Sequence, residues 1–214
     1  MRKLKRIISF CTAAALTVTL MLGGTSTNAA ADPRTEQNVT TATATLGKSL
    51  VSTGFESVEV GNVSGAVLTS KDGREAWLLD KSQGTNKASI NAVLSEQFKH
   101  TKKDGSVYEI EVDYYDSGNG LLRLYYDSYT NTKKTAETVY TNKENKWKTL
   151  KVTLDDAEFA KKCDNKCDIS VSIAIQSISS TVGTESIAVS EIRVKRYAAK
   201  NPIYVTSSND EVGN

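Results

Sequence analysis

Histidine is nearly absent: the chain of 214 residues contains one, His100. A single imidazole excludes most histidine-based metal sites and argues against a Ser–His–Asp triad. Proline is equally scarce. Pro33 and Pro202 are the two, so no strand between them is interrupted by a missing backbone donor. Cysteine occurs three times, and one of these, Cys11, lies in the opening apolar run. No second long apolar run follows it, so nothing later in the chain reads as a membrane span. Charge of one sign is lacking too. The 27 basic and 25 acidic side chains give +2 overall, and the segment before Asp32 holds four of the bases and no acid. The remainder is close to neutral, at about −2, which is no footprint for nucleic acid or anionic lipid.

What is present begins with export. MRKLKR is cationic, IISFCTAAALTVTLML is apolar but short for a span, and a run of small residues ends at Ala29-Ala30-Ala31. That order is the one found in secretory signal peptides, with cleavage expected before Asp32 and a secreted, extracellular product of about 183 residues. Residues 32–49, DPRTEQNVTTATATLGKS, show no apolar periodicity and read as a flexible linker. In an exported chain Cys163 and Cys167, flanking Asp164-Asn165-Lys166, are expected to form a disulfide that stiffens a loop tip. They lack the further ligands a metal site needs.

From Leu50 to Tyr197 short alternating runs are separated by Gly, Asn and Asp. Phe55–Val60, Ala66–Thr69, Glu75–Leu79 and Ala88–Val93 read as strands, with a possible helical turn over Leu94–Phe98. In VYEIEVDYY, Tyr108, Ile110, Val112 and Tyr114 form an apolar face opposite Glu109, Glu111 and Asp113. DSGNG and LLRLYYD follow, which reads as a hairpin with Leu122 and Leu124 inward and Arg123 and Tyr125 outward. Thr138–Tyr140, Lys148–Leu154, Ile169–Ile175 and Ile187–Val194 continue the pattern, and Asp155–Phe159 reads as one short helix with acids at its start. About ten such strands predict an all-β, antiparallel sandwich or jelly roll. Residues 198–214 read as a tail that opens a further module of a longer protein.

The runs GREAWLL, VYEIEVDYYDSGNGLLRLYYDS, KWKTLKVTLDDAEF and CDISV resemble the galactose-binding-like β-sandwich modules that accompany bacterial secreted glycoside hydrolases, over about Gly54–Tyr197. The cysteine loop departs from that pattern. The resemblance implies a noncatalytic carbohydrate-binding or accessory module whose partners are a polysaccharide or oligosaccharide and a downstream catalytic domain. The alternatives are a structural spacer or surface-adhesion sandwich that binds no sugar, and a small glycoside hydrolase using acids such as Glu109, Glu111 and Asp113.

Sugar recognition needs flat apolar rings and planar polar groups. Tyr115, Arg123 and Tyr125 are expected to share one exposed face of the predicted hairpin. Packing across the strand pair would explain the same residues. Tyr129, in the loop Ser128–Asn131, reads as an exposed aromatic, and Trp77 is a further candidate, while Trp147 reads equally as a core or rim residue. No cofactor is expected. Modules of this kind often hold a structural calcium, and Asp113, Asp116 and Asn119 carry suitable oxygens, although DSGNG is better explained as a turn.

Overall fold

A computed structural model describes residues 39–61, 66–80, 88–99, 103–118, 120–174 and 186–199. The N-terminal segment expected to be a signal peptide, most of the tail, His100 and Asn119 lie outside them.

The twelve strands in chain order are β1 Val39–Thr45, β2 Val51–Thr53, β3 Phe55–Val60, β4 Val67–Lys71, β5 Arg74–Asp80, β6 Ser89–Leu94, β7 Val107–Tyr115, β8 Leu121–Tyr126, β9 Lys134–Tyr140, β10 Trp147–Leu154, β11 Ile169–Ala174 and β12 Ser186–Tyr197. All pair antiparallel, in two sheets. The first sheet runs β10-β7-β12-β1-β2, with β5 also on β12 and β4 on β5. The second runs β3-β6-β11-β8-β9. The expected sandwich is therefore the observed one.

The inward faces follow from alternation. Ile110, Val112, Leu150, Val152 and Val194 from the first sheet meet Ile90, Leu122, Leu124, Val171 and Ile173 from the second in one buried cluster. Strand β12 is long enough to serve two partners on one edge, pairing with β5 through Ser186–Val189 and with β1 through Glu191–Tyr197. Between them the register against β7 shifts. That irregularity changes the parity of the inward residues from Ile187 and Val189 to Ile192 and Val194, keeping both halves on the core face.

Three expectations are corrected. Residues 39–45 are not linker: β1 pairs with β12 and buries Ala42 and Ala44, with Leu46 just beyond. Alanines alternating with threonines make a weak apolar signal, but where sheets approach closely a small side chain is what fits. Asp155–Phe159 forms no helix. Ser128 and Ala157 make an isolated bridge, and Phe159 adopts a positive φ of 56°. The helical elements among the described residues are two 3-10 turns, Glu96–Phe98 and Asp164–Lys166.

The third correction matters most for function. β7 and β8 do not form a hairpin. Asp116–Gly120 carries the chain from the first sheet to the second, beside the β9–β10 connection, which crosses back. The two crossings are stitched together by Asp116 N–H to Lys146 O (2.9 Å), Asn145 N–H to Asp116 O (2.8 Å) and Thr141 N–H to Gly120 O (3.0 Å). The choice of partner has an electrostatic reason. The acidic outer row of β7 lies between β10 and β12, whose outward residues include Lys151, Arg193 and Lys195. β8 would have offered it Leu121, Arg123 and Tyr125.

Candidate carbohydrate-binding face

On β8 the odd-numbered residues point away from the core, and the register of the second sheet arranges its outer surface in rows. One row runs Glu59, Asn91, Ser170, Tyr125 and Thr135, from β3 to β9. The next contains Ser89, Ser172, Arg123 and Thr138, and beside it Leu121 pairs with Tyr140. Tyr125 and Arg123 are half-buried, whereas Tyr140 is 56 % exposed. Alternate residues on a strand are roughly 7 Å apart, so Tyr125, Arg123 and Tyr140 form a line of about 13–14 Å, aromatic at both ends and cationic in the middle.

Hydroxyl and amide groups surround that line. Ser170 Oγ donates to Asn91 Oδ1 at 2.9 Å, and Asn91 Nδ2 donates to the Gly61 carbonyl at 3.1 Å, so the Asn91 amide is held in one orientation. The Lys133 ammonium sits 4.6 Å from the centre of the Tyr125 ring and is ion-paired with Asp164, the first residue of the 3-10 turn between the two cysteines. Lys133 covers part of Tyr125 and anchors it, a cation–π contact. Among the described residues Arg123 makes no hydrogen bond or ion pair.

The outer surface of the first sheet is built differently. Arg193 spans Glu111 (2.8 Å), Asp113 (3.0 Å) and Glu191 (2.7 Å). Lys151 reaches Glu109 (2.9 Å) and Glu111 (3.1 Å), and Arg74 reaches Asp113 (2.8 Å). Burial pushes Glu109 and Asp113 towards neutrality. The basic partners outweigh it and hold both carboxyls below their ordinary pKa. The Arg193 hydrogen bond does the same for Glu111 against a smaller effect of burial. This surface satisfies its own charges.

Tyr115 belongs to it, and so is on the opposite side of the sandwich from Arg123 and Tyr125. It is 7 % exposed, packs edge-on against Trp147 at 5.4 Å, and donates its hydroxyl to the Asn145 carbonyl at 2.8 Å. Trp147 carries Arg74 over its ring at 4.7 Å and donates Nε1–H to the Lys71 carbonyl. Trp77 is in the core, its Nε1–H donated to Gly47 O at 3.0 Å, with no ring face free for a sugar. Tyr129 is half-buried rather than exposed, and burial pushes its hydroxyl pKa up to about 12.

Cys163 and Cys167 are two buried thiols here, not a disulfide. Cys163 N–H donates to Cys167 O at 3.1 Å, and contact with the Cys167 thiol, followed by burial, raises the Cys163 pKa. Of the three residues considered for calcium, Asn119 lies outside the described residues and the other two already hold cationic partners. Asp113 is taken by Arg193, Arg74 and Thr149, and Asp116 by the Asn142 N–H and the Lys148 ammonium.

Sequence reasoning missed Tyr140 and Lys133. Tyr140 does carry a signal: it has the parity opposite to Val139, which packs on the core. Its neighbour across the strand pair was not legible.

No protein-family model matches the chain, and no curated protein matches it. Solved structures similar to it include a mutant of CBM29-2, a family 29 carbohydrate-binding module, at 14 % identity and TM-score 0.41, covering 75 % of this chain and 94 % of that one. A further solved structure, described as a family 29 carbohydrate-binding module, has 14 % identity and TM-score 0.41 over 75 % of this chain and 90 % of that one. The CBM22-1 and GH10 modules of a Clostridium thermocellum xylanase give 15 % identity and TM-score 0.38 over 66 % of this chain and 25 % of that one.

Proposed function

We propose that the protein is a secreted, noncatalytic carbohydrate-binding module of a polysaccharide-degrading system, with the outer face of β3-β6-β11-β8-β9 as its platform. The observation that supports this reading is the line Tyr125–Arg123–Tyr140 on the outer side of the second sheet, with Tyr140 exposed, Tyr125 and Arg123 half-buried, and the buried polar pair Asn91 and Ser170 beside them. Tyrosine rings suit the C–H face of a pyranose, and hydroxyl, amide and guanidinium groups suit its hydroxyls. The rest of the acid chemistry argues for binding rather than hydrolysis. A glycosidase needs one carboxyl in a cleft with a raised pKa. Glu109, Glu111 and Asp113 are instead ion-paired and lowered, and the described acids whose pKa is raised, Asp127 and Asp168, are buried against backbone N–H groups.

Two or three contacts of about 1–2 kcal/mol each, less the cost of ordering, describe a weak site with Kd of about 0.1 mM or weaker. Affinity electrophoresis of the wild type, Tyr125→Ala and Tyr140→Ala against a panel of plant and microbial polysaccharides tests it. Retardation by at least one polymer, weakened several-fold in both variants at unchanged melting temperature, is expected. No retardation by any polymer would favour the spacer reading.

A further inference from the structure

The four described arginines differ in one respect. Arg74 lies 2.8 Å from Asp113, Arg193 is held by three carboxylates, and Arg196 lies 2.8 Å from Asp104. Arg123 alone has no partner among the described residues, although it is half-buried in the middle of the tyrosine line. A half-buried guanidinium without a partner leaves its N–H donors free to receive one. We infer that this partner is a carboxylate of the ligand, and that the platform takes an extended acidic polysaccharide, a polymer of uronic acid residues. This inference rests on the carbohydrate-binding reading above.

The surroundings support an anionic ligand and set its charge density. Strand neighbours of Arg123 across the sheet are Ser172 and Thr138, both neutral. Glu137, next along β9, directs Oε1 to the Thr138 N–H. Glu59 is on the same face but three strands from β8, about 14 Å away and beyond the screening length of physiological salt. Asp164 is occupied by Lys133, and Asp156 by Lys134 at 2.6 Å. One free guanidinium therefore remains, matching an isolated planar carboxylate through two parallel hydrogen bonds. A sulfated or phosphate-linked polymer, with denser charge, would call for a cluster of free bases.

Affinity electrophoresis of the exported protein with polygalacturonate, alginate and glucuronoxylan, each beside its carboxyl-reduced counterpart, tests the inference, with hydroxyethylcellulose and a sulfated glycan as controls. At least one uronate polymer is expected to bind about tenfold more tightly than its reduced form. Arg123→Ala should bring it down to the reduced level, and Arg123→Lys should keep part of the difference. Raising salt from about 50 to about 500 mM should weaken the uronate complex alone. Since Arg123 makes no internal bond, both variants should melt with the wild type. Equal binding of acidic and reduced polymers, a preference that survives Arg123→Ala, or tightest binding to the sulfated glycan would each overturn the inference while leaving a carbohydrate-binding module in place. Failure to bind any of the polymers, hydroxyethylcellulose included, would remove both.

Discussion

Asp168 is wholly buried, and its carboxylate serves as the acceptor for two main-chain donors: Leu94 N–H to Oδ2 and Lys161 N–H to Oδ1, each at 2.7 Å. It thereby ties the end of β6 to the loop that carries the cysteines. Burial pushes its pKa up to about 6 despite those bonds, and the charge of Asp127 adds to the effect. An unfolded aspartate titrates near 3.9. The folded value is the higher one, so between about pH 6 and pH 4 the folded state holds a proton that the unfolded state has lost. Stability from this group is therefore fully present below about pH 4 and lost as pH rises through about 6. A shift of about two units corresponds to roughly 2–3 kcal/mol. Asp168→Asn keeps the shape, retains one acceptor and cannot titrate. One N–H loses its partner, at a cost of about 1–3 kcal/mol, offset at pH 7 by removing a buried charge. Urea unfolding of both proteins at pH 7 and pH 4.5 separates these contributions. The wild type's advantage over the variant should grow by about 2 kcal/mol at the lower pH. Glu109, Glu111 and Asp113, whose lowered pKa values work in the opposite direction, are common to both proteins and cancel in the difference. An advantage that is equal at the two pH values would refute the assignment of a buried, charge-penalised carboxylate.

Ile110→Ala and Leu124→Ala, both at wholly buried positions facing each other's sheets, should each cost about 2–4 kcal/mol in chemical denaturation. Glu111→Ala should cost about 1 kcal/mol, more than an isolated surface charge, because it takes one carboxylate from a network in which Arg193 keeps Asp113 and Glu191 and Lys151 keeps Glu109; the cost should be screened by salt. In the exported protein we propose that the adjacent thiols of Cys163 and Cys167 become a disulfide, so thiol labelling after denaturation should find none, and replacing both with Ser should cost less than about 2 kcal/mol. Mass spectrometry of secreted protein should place the mature N-terminus at Asp32 or within a few residues; recovery of Met1 would contradict export by cleavage.

Alternation was enough to read most strands and their inward residues. Ile110, Val112, Leu124, Val152, Val171, Ile173 and Val194 are all buried, because a period of two survives in any sheet with one wet face. It was not enough for β1, whose inward residues are alanines, nor for Asp155–Phe159, where acids before an apolar residue mimic a helix start. Alternation also does not say which sheet a strand joins. Tyr115 and Tyr125 both point outward, as alternation predicts, yet they lie on opposite faces of the sandwich. Asp116–Gly120 looks like a hairpin turn and acts as a crossing between sheets. Pairing partners decided that, through the match of the β7 carboxylates to the cations of β10 and β12, a nonlocal energy that no window of sequence contains. The same pairing placed Tyr140 beside Leu121 and left Arg123 without an acid. Local chemistry set the direction of each side chain, and the long-range pairing of strands set which of them became neighbours.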